Sequence, residues 1–287
     1  MLLSTVQPSI ISLFSSTSSD PLTLFSSATD QTLLADSFIH FLHDRLSSPL
    51  PESPRVLLKL PTVSDATEQE DSPDHGVQLD QTVLHIQSPT IRTTYIQCPP
   101  ILAPYGDIGK HDRPGGLGIR HPWMHLQVRN LAREWSVEVG IVDHAGRSGT
   151  IRLSTFQNKP CLKIDQHSRS PPLLLLPLSF PPDSTHLLTL WSTIDIHFPS
   201  LLPYFSSPAL RSMQDIDQED TEEDTKSHEW ASSSRPNTTA PASIPSGTYS
   251  HVSYVRVYAN CRLRRIWFGE GGPSQKGPWE FELYSSD

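Results

Sequence analysis

The sequence predicts an all-β protein, an antiparallel β-sandwich or jelly roll carrying disordered insertions. Three observations predict it. Two stretches alternate strictly between apolar and polar residues, the signature of a half-buried strand. Many short apolar runs are separated by turn-rich pieces such as "DHAGRSG" and "FGEGGPSQKG", the spacing of a sandwich. Apolar content is only 36%, and 27 of the 287 residues are Pro, so a folded core is diluted by polar chain that buries little.

The strand candidates run the length of the chain. The two clearest are "WSVEVGIV" (Trp135–Val142) and "WEFELY" (Trp279–Tyr284). In the first, Trp135, Val137, Val139 and Ile141 share one face. In the second, Trp279, Phe281 and Leu283 do so. Weaker candidates are "SIISLF" (9–14), "PLTLF" (21–25), "TVLHIQ" (82–87), "IRTTYIQ" (91–97), "WMHLQV" (123–128), "SGTIRLS" (148–154), "LLTLWS" (187–192) and "HVSYVRVYA" (251–259).

Two regions interrupt this pattern. Residues 28–75 read as an insertion, a short helix followed by disorder. Leu33, Leu34, Phe38, Phe41, Leu42 and Leu46 fall near helical spacing, and a Pro-, Ser- and acid-rich tail follows. Residues 206–248 read as an acidic disordered insertion, whose composition cannot offset the entropy of ordering. The acidity is concentrated in these regions. Residues 62–76 and 212–229 carry −12 between them, against −9 for the whole chain. The remainder is therefore mildly basic, near +3.

No catalytic, metal or cofactor constellation stands out. "DHAGRSGT" lacks the Lys of a P-loop, "RPGGLGIRHP" is followed by no helix, and neither H-E-x-x-H nor G-x-S-x-G occurs. His121 and His125 flank a Pro and strand-like residues, which argues against a shared ligand. Glu280 and Glu282 on one strand face suit ion pairs with neighbouring arginines better than a glycosidase pair. The expectation is a non-enzymatic protein with no cofactor and no small-molecule substrate. Three cysteines, Cys98, Cys161 and Cys261, read as reduced thiols, mostly buried, since an odd count does not form a disulfide framework. The N-terminus lacks the basic residues of a signal peptide. The longest apolar run, from Leu173, is too short to span a bilayer, so no membrane partner is expected.

The stretch "YVRVYANCRLRRIWFGEGG" (Tyr254–Gly272) concentrates four arginines in an acidic chain. With Val255, Val257 and Ala259 inward, Arg256 and Tyr258 face out. Asn260 and Cys261 suit a turn. In the following strand Ile266 and Phe268 share a face with Arg264, and Arg265 lies with Trp267. One sheet face would then display Arg256, Tyr258, Asn260, Arg262, Arg264, Arg265 and Trp267 as a partner-binding surface. Arg, Tyr and Trp are the types enriched at interface hot spots. Two other placements stand beside this one: a solvated face paired to Glu280 and Glu282, or internal braces paired to those residues and Glu138.

These residues resemble a known family. "YVRVYANCRLRRIWFGE" followed by "EFELY" resembles the C-terminal signature of the cilia- and flagella-associated protein twenty family. "TVLHIQSPTIRTTYIQCP" (82–99) resembles the family's central strand pair, "LGIRHPWMHLQVRNLAREWSVEVGIVD" (117–143) and "STFQNKP" (154–160) the stretch that follows, and "PSIISLFSSTSSDPLTLF" (8–25) its N-terminal hairpin, in family order. The likeness covers roughly 8–27, 76–205 and 249–285. It implies a compact β-sandwich of jelly-roll type without enzymatic activity. It also implies a place at the inner junction of ciliary doublet microtubules, bridging the tubules and binding tubulin and other axonemal junction proteins. Links to centrioles, tubulin modification, motility and the nucleus come with it.

The function expected is that of a microtubule-associated structural protein of the cilium or flagellum, in the axoneme or basal body. A mildly basic core suits an acidic partner. The alternative is a nuclear nucleic-acid- or RNA-processing-associated adaptor using the same basic patch. A glycan-binding sandwich would need exposed aromatics, for which Trp135, Trp191 and Trp267 are the candidates.

Overall fold

The computed structural model describes residues 5–49, 58–59, 78–79, 82–100, 116–165, 170–180, 189–211 and 244–278. In chain order its strands are β1 (Ile10–Ser15), β2 (Ser26–Ala28), β3 (Phe38–His43), β4 (Leu58–Lys59), β5 (Gln78–Leu79), β6 (Thr82–Gln87), β7 (Tyr95–Cys98) and β8 (Trp123–Asn130). There follow β9 (Ser136–Asp143), β10 (Ser148–Ser154), β11 (Cys161–Lys163), β12 (Leu173–Pro177), β13 (Ser192–His197), β14 (Tyr249–Tyr258) and β15 (Cys261–Gly269).

They form two large sheets. One has the order β13-β8-β15-β6-β3, with β1 also pairing β15. The other has the order β11-β12-β10-β9-β14-β7-β2. β10 and β12 run parallel, and the remaining pairs are antiparallel. β4 and β5 pair with each other apart from both sheets. The fold is therefore the all-β sandwich that the sequence predicts.

Strand alternation builds the core. Val137, Val139 and Ile141 of β9 face Met124, Leu126 and Val128 of β8 and Leu263, Ile266 and Phe268 of β15 in one continuous cluster. All are inaccessible to solvent. Burying each such side chain contributes about 1.5–3 kcal/mol. Trp135, entering β9, is also fully buried and meets Phe180 edge-on at 5.6 Å. Its place beside three apolar residues on one strand face predicts this burial, and it removes Trp135 from any exposed aromatic row.

Several expected elements are corrected. Residues 33–46 contain no helix. Phe38–His43 forms β3, pairing residue by residue with β6 from Phe38↔Gln87 to His43↔Thr82. A helix there would bury Leu33, Leu34 and Leu46 on one side, yet these are 38%, 63% and 69% exposed. Ile39 and Phe41 instead pack on the core with strand alternation, so tertiary pairing overrides an ambiguous short apolar run. An insertion starting at residue 28 is accordingly too long, since β2 and β3 belong to the two sheets.

Residues 21–25 turn rather than extend, placing Phe25 edge-on against Phe14 at 5.7 Å. Residues 91–93 form a 3-10 turn before β7. The strand expected at 187–192 starts at its last residue: Trp191 precedes β13, and 187–188 lie outside the described residues. The run from Leu173 is β12, flanked on both sides by strands, which explains an unbroken apolar sequence.

In the acidic insertion, Pro208–Leu210 forms a 3-10 turn, Leu210 packs on the core, and Arg211 bridges Leu162. Residues 212–243, the whole stretch 60–77, and Trp279–Tyr284 with Glu280 and Glu282 lie outside the described residues. Cys98 and Cys261 are buried and reduced, and burial pushes both thiols up to about 12.

Candidate functional site

β14 and β15 are consecutive, joined at Ala259 and Asn260, yet they belong to opposite sheets. Their inward side chains, Val255, Val257 and Ala259 from one and Cys261, Leu263, Ile266 and Phe268 from the other, meet in the core. Their outward side chains must then point in opposite directions. The single face expected to show seven residues is two faces, one on each side of the sandwich.

On the seven-stranded sheet a transverse row runs Arg152 (β10), Glu138 (β9), Arg256 (β14), Gln97 (β7), each residue directly opposite the next. Glu138 is 4% exposed and is the hub. It accepts hydrogen bonds from Arg152 Nε at 2.9 Å and Nη2 at 2.6 Å, from the Tyr254 hydroxyl at 2.6 Å and from the Tyr258 hydroxyl at 3.2 Å. Arg256 Nη1 lies 3.7 Å from Glu138 Oε1, the oxygen that accepts from Tyr254. A buried carboxylate needs such a set of donors to replace the water it has lost. Burial, then the Glu138 charge, raise the pKa values of Tyr254 and Tyr258, so both keep the protons they donate.

Arg256 is fixed through two of its three nitrogens and by three aromatic rings. Nε donates to Gln97 Oε1 at 2.7 Å, and Nη1 donates to the Tyr258 hydroxyl at 3.0 Å. Its guanidinium carbon sits 4.7 Å from the Tyr95 ring centre, 5.7 Å from Tyr254 and 5.8 Å from Tyr258. Each contact adds cation–π attraction. Tyr254 in turn packs directly against Gly140. A Cβ there would come within 2.3 Å of the ring, so only glycine admits the tyrosine.

On the six-stranded sheet Arg262 is a brace. It is 4% exposed. Nη1 donates to the Asp44 backbone oxygen at 2.6 Å and to Asp44 Oδ1 at 2.7 Å, Nη2 to Ser47 Oγ at 2.7 Å, and Nε to His85 Nδ1 at 3.4 Å. Asp44 Oδ2 also accepts from Arg129 at 3.1 Å and from the Trp191 indole at 2.9 Å. This fastens the chain after β3 across the outside of the sheet and covers Trp191, Leu42 and Val83. Trp191 is 3% exposed, so it too leaves the list of exposed aromatics. Since Arg262 occupies His85 Nδ1, the His85 proton sits on Nε2, which faces Gln87 Oε1 at 3.3 Å. Desolvation, with the Arg262 charge, pushes the His85 pKa down to about 4.

The remaining expected residues divide in the same way. Arg264, 4% exposed, donates to the Thr82 backbone oxygen and lies 3.4 Å from Ser16 Oγ. Asn260 is buried at the corner: its amide donates to Glu134 O at 3.1 Å, and its oxygen accepts from Ser88 N at 2.9 Å. Arg265 and Trp267 are half-buried on the outer side. Trp267 stacks on His125 at 4.9 Å, and His125 in turn holds Asp195 at 2.5 Å. Trp123 and His197 extend the stack at 4.4 Å. His121 is bound instead to the Pro8 backbone oxygen at 2.7 Å, so it does not act with His125.

Of the seven residues, Arg262, Arg264, Asn260 and Tyr258 are buried, with Arg256 outward on one sheet and Arg265 and Trp267 on the other. Sequence reasoning missed Asp44, Asp195, Gln97 and Tyr95. The available signal was Glu138, a charge between Val137 and Val139 in the middle of β9. Among the described residues no group of three His, Cys, Asp or Glu could hold a metal ion, and no helix is long and apolar enough to cross a membrane.

Comparison with known proteins matches the CFA20 domain to residues 74–178, the span from β5 to the end of β12. The chain is 24% identical over 207 residues to Cilia- and flagella-associated protein 20 of Chlamydomonas reinhardtii. That alignment covers 72% of this chain and 75% of the relative.

Proposed function

We propose, for a chain whose residues 74–178 match the CFA20 domain, a non-enzymatic structural role on the microtubules of cilia or flagella, joining neighbouring components at the junction of doublet tubules. The observation that carries this reading is the similarity to a cilia- and flagella-associated protein across most of both chains. The geometry supports a bridge. Two consecutive strands split between two sheets present Arg256 with Tyr95 and Tyr254 on one side, and Arg265 and Trp267 on the other. A protein with two ordered, opposite polar-aromatic faces can hold two partners at once. Arg262, Arg264 and Asn260 serve the same role indirectly, as braces that keep β15 and its corner in place.

Microtubule co-pelleting of the full chain tests this, with RNA and DNA as competitors. Saturable pelleting that survives nucleic acid is the expected result. A folded chain that stays in the supernatant, but is retained on RNA or DNA, would overturn the reading in favour of a nucleic-acid adaptor.

A further inference from the structure

The row Arg152–Glu138–Arg256 holds two guanidinium groups against one carboxylate, leaving one positive charge uncompensated within it. Glu138 orients Arg152 through Nε and Nη2. Gln97 and the Tyr258 hydroxyl orient Arg256 through Nε and Nη1. Among the described residues, Nη1 of Arg152 and Nη2 of Arg256 have no hydrogen-bond partner. The two side chains are 26% and 23% exposed, so both remain within reach of solvent. Their conformations are already fixed, which removes most of the ordering cost of a new contact.

We infer that this face recognises the carboxylates of an acidic protein segment, with Arg152 and Arg256 donating to Asp or Glu side chains of the partner. Guanidinium donors suit carboxylate geometry, and the cluster has donors to give but few acceptors left: its one carboxylate is committed to its own sheet. The observations favour an acidic peptide over nucleic acid for two reasons. Arg256 lies against the Tyr95, Tyr254 and Tyr258 rings, and Gly140 lies under Tyr254, so the rings are not free to stack bases. Glu138 also limits the positive potential to what one or two carboxylates need, short of a phosphate backbone. The inference rests on the docking reading above for the identity of the partner, and adds the chemistry of one face.

The test uses the full chain and a fluorescein-labelled deca-glutamate peptide, followed by anisotropy at low salt. Oligothymidylate of equal charge and deca-lysine run beside it. Variants are Arg152→Gln, Arg256→Gln and, at an exposed position elsewhere, Arg133→Gln. Arg152→Lys and Arg256→Lys keep the charge but remove the fork, in case the glutamines do not fold. Saturable glutamate binding is expected, weakened about tenfold by either glutamine substitution and unchanged by Arg133→Gln. The lysine variants should lie between. Absence of saturable binding would overturn the inference, as would equal weakening by Arg133→Gln or tighter oligothymidylate binding through the same arginines. Loss of peptide binding with intact microtubule co-pelleting removes this site alone. Peptide binding without co-pelleting removes the microtubule reading alone.

Discussion

Asp44 gathers Arg262, Arg129 and the Trp191 indole on two oxygens and a backbone carbonyl. Side-chain exposures of 5% for Arg262 and 8% for Asp44 leave water little chance to replace a lost partner. Breaking such a buried pair costs about 3–5 kcal/mol. Asp44→Ala should lose stability of that size in urea unfolding, and Arg262→Ala nearly as much. The double variant should cost less than their sum, because it leaves one buried charge fewer. His85 gives this corner a pH dependence. Its pKa falls from the ordinary 6.5 to about 4 on folding, so the unfolded chain binds the proton more readily. Stability is then full above pH 6.5 and is lost as the pH falls towards 4, by about 3 kcal/mol. Desolvation lowers His40 and His251 in the same direction. Unfolding measured across this range should lose much of its slope in His85→Gln; an unchanged slope would show that His85 is not the titrating group.

At the scale of elements, β9 and β14 depend on a close approach at Gly140, where an added Cβ would meet the Tyr254 ring at 2.3 Å and Ser253 Oγ at 2.4 Å. The Tyr254 ring covers Gly140 and reaches Glu138 only because position 140 has no Cβ. Gly140→Ala should displace the ring, break the Tyr254–Glu138 bond and cost about 1–3 kcal/mol. Tyr254→Ala should relieve part of that cost, and a double-mutant cycle on thermal unfolding measures the coupling. β3 makes a second case. It carries the outer edge of its sheet and delivers Asp44 to Arg262. Deleting residues 28–49 should therefore abolish cooperative unfolding, whereas an insertion confined to loops would be removable.

For the whole molecule, the split of β14 and β15 between sheets sets what the protein can join. If each outer face docks separately, Arg152→Gln with Arg256→Gln should weaken one contact and Trp267→Ala the other. Either change should leave a chain that still co-pellets with microtubules but no longer bundles them in a turbidity assay. Loss of pelleting and bundling together in both variants would point to one shared surface instead.

The sequence by itself determined the sandwich, because strand alternation in Trp135–Val142 and its neighbours states which side chains must leave water. It also determined the family resemblance, and the absence of recognisable catalytic motifs. Only the tertiary structure decided what the arginines do. Outward position in a strand says that a side chain leaves the core, not which sheet its strand joins or what crosses over it. Asp44 covers Arg262 from 218 residues away in the chain, and Glu138 meets Tyr254 across 116. The same limit explains β3: "FIHFLH" fits a helix or a strand locally, and pairing with β6 settled it. Periodicity reports a local preference for burial, whereas strand partners and ion pairs are set by contacts between distant segments.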